Sequence, residues 1–198
     1  MIKHIDVSFH YQARFERGKI YCVEAASGVG KSSLLHFIGG LRTPSQGTIL
    51  LDGRNILDFT PDEKSQLYRT ELAYLFQDLR LFPNLTAFEN VQIVNQITHF
   101  RDKNYILSLF QQLGISDKVD KPVQYLSLGE QQRVAFIRAL CQPSSFLLLD
   151  EPISHLDDCN AQIMAHILEN QLAERQVGII ITSLGKDLPI HYDQILKL

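Results

Sequence analysis

An α/β fold with a mainly parallel sheet core, a small antiparallel β part and an inserted helical subdomain is what this 198-residue sequence predicts. Three observations lead there. Short runs rich in Leu and β-branched residues alternate with segments of helical period, and these runs are apolar on both faces, as strands covered by helices on both sides are. A D-G dipeptide divides TILLDGRNI (48–56), which marks an antiparallel hairpin. Between about 78 and 125 the strand-like runs give way to helix signals.

The core strands read as IYCVEA (20–25), LAYLF (72–76), FLLLD (146–150) and GIIIT (178–182), with a last short strand near QILKL (194–198). Helical patterns separate them, so crossovers join them and the sheet is mainly parallel. Three helices start on the same device, S/T-x-x-E, in which two side chains satisfy each other's orphan amides: Thr60 with Glu63, Thr86 with Glu89, and Ser127 with Glu130. Pro61 takes the first helical position of one of them, where its missing N–H costs nothing. A helix over about 102–113 stops at Gly114. A longer one over about 158–175 carries Ile163, Ile167 and Leu172 on or near one stripe.

A net charge of −3 leaves no basic excess, so no nucleic-acid partner is expected. Cys22, Cys141 and Cys159 are scattered, giving neither zinc spacing nor a disulfide framework, and a reducing compartment suits them. MIKHIDVSF has no secretory pattern. Runs such as FLLL and IIIT are far shorter than the roughly 20 apolar residues a membrane helix needs.

EAASGVGKSS (24–33) follows one strand and opens a helix. That is the setting of the phosphate-binding pattern G-x-x-x-x-G-K-[ST], with Ala25 in place of its first glycine. Ser27, Gly28, Val29, Gly30, Lys31, Ser32 and Ser33 are its candidate nucleotide-binding residues. Main-chain amides there form an anion nest, the helix N-terminus adds partial positive charge, Lys31 neutralises phosphate, and the Ser32 hydroxyl suits Mg²⁺. A methyl group at Ala25 is tolerated where φ stays negative. FLLLDEP (146–152) ends an apolar strand in two carboxylates: Asp150 is the candidate Mg²⁺ partner and Glu151 the candidate general base.

LSLGEQQRVAFIRAL (126–140) resembles the signature of ABC-type ATPases, L-S-G-G-[EQ]-Q-x-R-[VI]-x-[IL]-[AI]-R-A-L, and SHLD (154–157) resembles their D-loop. LAYLFQDLRLFPNLTAFENVQ (72–92) is similar to the Q-loop region of the branch serving lipoprotein release, macrolide export and the cell-division complex. The resemblance covers nearly the whole chain. It implies a P-loop NTPase of the ABC-ATPase fold, a single domain over 1–198 with its core at about 1–77 and 141–198 and a helical signature subdomain at about 78–140. It implies ATP and Mg²⁺ as ligands, a second ATPase subunit paired head to tail, and an integral membrane permease, with the chain peripheral on the cytoplasmic face. Gln77 becomes the Q-loop glutamine, a catalytic and Mg²⁺-binding candidate. Ser127, Gly129 and Glu130 would meet the partner's nucleotide, and Asp157 would lie near the interface. An aromatic before the phosphate loop is expected to stack on adenine, with Tyr11 the candidate and Phe9 the alternative.

The chain departs from the family at three positions: Ala25, Leu128 for the first signature glycine, and Ser183 where a histidine is expected after the last core strand. A serine hydroxyl is short and neutral. Losing a transition-state donor costs ~100- to 1,000-fold, so ATP binding with slow hydrolysis is expected, with Ser183 the catalytic substitute. The alternative is a nucleotide-dependent switch, scaffold or degenerate partner with little turnover. Soluble ABC ATPases that act on DNA or ribosomes carry a coiled coil or a tandem domain not seen in these residues, and no N-K-x-D supports a GTPase. Leu79, Leu81, Phe82, Leu85 and Phe88 beside Gln77 are expected to divide between core and a docking groove for the membrane subunit.

Overall fold

The computed structural model describes residues 1–9, 11–24 and 31–197. Strands β1 (His4–Ser8), β2 (Gln12–Glu16) and β3 (Ile20–Glu24) precede helix α1 (Lys31–Ile38). A hairpin of β4 (Thr48–Leu51) and β5 (Arg54–Asn55) follows, then α2 (Pro61–Thr70) and β6 (Leu72–Leu75). Three helices come next: α3 (Ala87–Thr98), α4 (Lys103–Gln112) and α5 (Leu128–Leu140). The chain returns through β7 (Phe146–Asp150), α6 (Asp158–Arg175), β8 (Gly178–Ser183) and β9 (Gln194–Lys197).

Two sheets result. One is antiparallel in the order β2-β1-β4-β5, and the other is parallel in the order β6-β7-β8-β3-β9. The hairpin turn places Asp52 at φ 48° and Gly53 at φ 83°, the left-handed pair that a D-G turn supplies. Strands β7 and β8 are buried along their whole length, which is why they read as unbroken apolar runs.

Alternate residues of the parallel strands serve two cores. Tyr21, Val23, Leu148 and Ile180 pack with Leu34, Leu35 and Ile38 of α1, and this core continues into Ile5, Val7 and Phe15 of the antiparallel sheet. Leu147, Leu149, Ile179 and Ile181 pack on the other face with α6 and with the helical segment through Val91, Phe110 and Phe136. On α6 the buried face differs from the predicted stripe. Ala161, Met164, Ala165 and Leu168 are buried beside Ile167, while Ile163 and Leu172 are only partly covered. Alanines have little volume and let the helix lie close to the sheet, where Met164, Ile167 and Leu168 fill the contact.

All three capping boxes form, with Thr60, Thr86 and Ser127 each bonded reciprocally to the glutamate three residues on. Gly114 ends the α4 region at φ 66°. No helix among the described residues is long and apolar enough to cross a membrane.

Candidate nucleotide site

The carboxyl ends of β7 and β8 and the first turn of α1 converge, where open α/β sheets place their ligands. Asp150 is buried at 1% exposure. Register sets Thr182 of β8 opposite it, and the Thr182 hydroxyl donates to Asp150 Oδ1 at 2.6 Å. The same Thr182 oxygen accepts the Glu151 N–H at 3.0 Å. One threonine therefore orients both carboxylate residues.

Glu151 sits at φ 50°, a left-handed conformation that costs a non-glycine residue ~1–3 kcal/mol and concentrates at functional sites. Its carboxylate accepts from Gln77 Nε2 at 3.2 Å, and Gln77 Oε1 accepts from the Ser32 hydroxyl at 3.4 Å. Ser32, Gln77 and Glu151 thus form one hydrogen-bonded line. Burial first, then the Asp150 charge, raise the Glu151 carboxyl above its ordinary range; Lys31 and the Gln77 amide pull it back in part. Lys31 is buried at the start of α1. A carboxylate poised this way is a better base than an ordinary glutamate.

The structure brings Lys31, Ser32, Gln77, Asp150 and Glu151 together. Ser33 follows them on α1. The loop residues Ser27, Gly28, Val29 and Gly30, and Ala25 with them, lie outside the described residues. Ser183 ends β8 and lines a cavity of about 230 Å³ with Glu151, Ser154, Thr182 and Lys186. Its hydroxyl is engaged locally, donating to the Lys186 carbonyl at 3.0 Å and accepting the Gly185 N–H at 3.2 Å.

Ser127 caps α5, and its hydroxyl donates to Glu130 Oε2 at 2.9 Å. The Ser127 N–H, which donates to the same oxygen at 2.8 Å, and then the Ser127 hydroxyl and Lys118, hold the Glu130 carboxyl below its ordinary range. Gly129 packs against its own chain: a Cβ there would stand 2.8 Å from the His155 carbonyl oxygen. Asp157 caps α6, accepting the Asn160 N–H at 2.8 Å, and its pKa is lowered mainly by that backbone bond. Tyr11 belongs to an aromatic group, 6.0 Å from Phe9, which is 5.7 Å from Phe37. Burial pushes the Tyr11 hydroxyl up to about 12.

Sequence reasoning missed the residues that tie these parts together. Gln132, 1% exposed, donates to the Glu151 carbonyl at 3.0 Å and to Ser154 Oγ at 3.2 Å, and accepts the His155 N–H at 3.0 Å. Helical spacing puts it on the face of Phe136 and Ala139, and a polar residue on such a face was the available signal. Arg138 donates to the carbonyls of Leu79 and Arg80, both at 2.6 Å, where the chain after Gln77 turns through φ 57° and 46°. Burial pulls its guanidinium down to about 10.

The apolar run beside Gln77 divides between core and surface. Leu79 is buried, Leu81 and Phe88 pack against the core, and of the exposed large apolar residues in this stretch only Phe82 stands out, at 54%. Leu81, Leu85 and Phe88 are partly buried, so each keeps some exposed surface. The open apolar groove lies beside them, about 260 Å³, lined by Leu41, Tyr74, Phe76, Arg80, Ile93 and Val94 among others.

Residues 9–154 match the family model described as "ABC transporter". The lipoprotein-releasing system ATP-binding protein LolD 2 of Rhodopseudomonas palustris is 33% identical over 184 residues, covering 91% of this chain and 79% of that one. The macrolide export ATP-binding/permease protein MacB of Salmonella choleraesuis is 32% identical over 201 residues, a match that takes in 100% of this chain and 30% of MacB. Among solved structures, the dimeric structure of MJ0796, a bacterial ABC transporter cassette, shares the fold with a TM-score of 0.79 at 24% identity, over 92% of this chain and 87% of that one.

Proposed function

Because the chain belongs to the ABC transporter family and is an ABC-type ATPase, we propose that it is the ATP-binding subunit of a transport complex, a single domain that pairs head to tail with a second ATPase subunit on Mg·ATP and hydrolyses it slowly. The observation that carries this reading is the line from Ser32 through Gln77 to Glu151 beside the buried Asp150. Ser32, Gln77 and Asp150 offer hydroxyl, amide and carboxylate oxygens, the hard donors that suit Mg²⁺. When bound, that ion supplies positive charge to the phosphate oxygens.

The chain's own residues do the rest. Lys31 and the α1 N-terminus face the phosphates. Glu151, with its raised pKa, accepts a proton from the attacking water, and Gln77 orients the Glu151 carboxylate. Ser127, Gly129 and Glu130 present the α5 tip to the nucleotide of the other subunit, and Asp157 lies at that interface. Tyr11 stacks on adenine, or Phe9 does.

Slow turnover follows from Ser183, whose hydroxyl hydrogen already has a partner in the Lys186 carbonyl. The same observation favours the second reading, a nucleotide-dependent switch or degenerate half that closes without much hydrolysis. The membrane partner docks a cytoplasmic helix in the groove of Leu41, Tyr74 and Phe76, which places the chain peripherally at the cytoplasmic face of the membrane.

The experiment is nucleotide binding and turnover by the purified chain with Mg²⁺. Lys31→Ala is expected to abolish ATP uptake. Glu151→Gln is expected to bind ATP and stay paired without turnover. Wild-type turnover should exceed that baseline yet fall about 100-fold or more below a relative with histidine at the Ser183 position. No Lys31-dependent uptake overturns the reading. Pairing with turnover no faster than Glu151→Gln selects the switch.

A further inference from the structure

The turn after β8 is built around the Ser183 side chain. Its oxygen accepts the Gly185 N–H and its hydrogen goes to the Lys186 carbonyl, so residues 183–186 fold back on themselves. This directs Lys186 toward the segment after β7. Lys186 Nζ donates to the Leu156 carbonyl at 2.7 Å and stands 3.2 Å from Asp158 Oδ1. Leu156 and Asp158 flank Asp157, the cap of α6.

The other flank of the same segment is held from α5. Gln132 accepts the His155 N–H and donates to Ser154 Oγ. Residues 154–158 are therefore gripped by two elements, one contact set from α5 and one from the turn after β8. The cavity shared by Glu151, Ser154, Ser183 and Lys186 lies at this junction. The two Lys186 contacts are unequal. Asp158 is almost fully exposed, so the ion pair is screened and weak. The bond from an ammonium to a main-chain carbonyl is charge-assisted and is the stronger.

We propose that Lys186 is a positioning residue for ATP hydrolysis: it pins residues 156–158 in the conformation that the paired ATPase requires, and Ser183 is the turn former that delivers it. The hydrolytic part rests on the paired-subunit reading above. In place of a side chain that reaches toward phosphate, the end of β8 thus carries a brace against the neighbouring loop.

The test compares wild type with Lys186→Met, Lys186→Arg and Ser183→Ala in two assays. Amide hydrogen exchange of residues 155–160 is measured without nucleotide. In Lys186→Met it is expected to speed up about tenfold, the factor that one charge-assisted hydrogen bond carries. Steady-state turnover in that variant is expected to show kcat lowered about tenfold with KM for ATP within about twofold, since substrate uptake does not pass through Lys186. Lys186→Arg keeps a cationic donor and should restore both readouts. Ser183→Ala should move both in the direction of Lys186→Met. Unchanged exchange in Lys186→Met, or Lys186→Arg matching Lys186→Met in both assays, overturns the proposal. If wild type does not pair on ATP, the paired-subunit reading fails, while the exchange assay, which needs no nucleotide and no second subunit, still decides whether Lys186 pins the segment.

Discussion

Glu151 carries two unfavourable conditions at once, a left-handed backbone and a carboxyl buried beside Asp150. Both are tolerable only because Thr182, Gln77 and Gln132 hold the residue from three sides. Burial and the neighbouring charge raise its folded-state pKa above the ordinary value of 4.5. In the window between 4.5 and that raised value the native chain binds more protons than the unfolded one, so the group's contribution to stability falls as pH rises through it. Above the window the ionised carboxylate is a net cost. Glu151→Gln is therefore expected to melt higher than wild type at about pH 8, with the gap closing toward about pH 4. Thermal melts across that range check it, and a wild type that melts higher at alkaline pH would contradict the assignment. Asp150 and Glu151 were legible because an acid pair that ends an apolar run needs a reason to be there. The local bonds of Ser183 were not, since a turn between Ser183 and Lys186 depends on backbone geometry that no composition rule specifies.

Helix α5 is more than the carrier of a signature. Its first turn holds Ser127 and Glu130 in a reciprocal cap, and Gly129 clears the His155 carbonyl. Its buried face sends Gln132 to Glu151 and the segment after it, and Arg138 to the turn after Gln77. One rigid element therefore fixes both loops that frame the site. Gln132→Leu keeps the bulk but leaves a carbonyl, an amide and a hydroxyl without this partner. Of these only the Glu151 carbonyl is buried, and at ~1–3 kcal/mol for an orphaned buried group a loss of about 2 kcal/mol in urea unfolding is expected. Retained stability would mean that water replaces the glutamine. The start of α5 was readable from S-x-x-E, because a capping box is a local device. The contacts of Gln132 and Arg138 were not, because they join residues far apart in sequence.

At the scale of the molecule, the parallel sheet separates two cores: α1 and the antiparallel sheet on one face, α6 and the helical segment on the other. The apolar groove of Leu41, Tyr74 and Phe76 opens where the helical segment meets the sheet. If a membrane subunit docks there, Leu41→Asp, at a side chain 40% exposed, should weaken co-purification with it about tenfold or more while ATP binding by the isolated chain is kept. Equal co-purification would move the docking site elsewhere. Which residues of the run from Leu79 to Phe88 meet the core was not readable, because a run of apolar residues does not say which of them are covered. The sequence by itself determined the strands of the parallel sheet and the β4–β5 hairpin, though not β1 and β2, together with the capped helix starts and the acid pair at the end of β7, since period, caps and punctuation act within a few residues of one another. Only the tertiary structure decided which face of α6 is buried, that one threonine orients two carboxylates, and that Ser183 serves a turn. Those outcomes depend on which distant segments come to share a hydrogen bond or a surface, and that is set by how the two cores pack around the sheet.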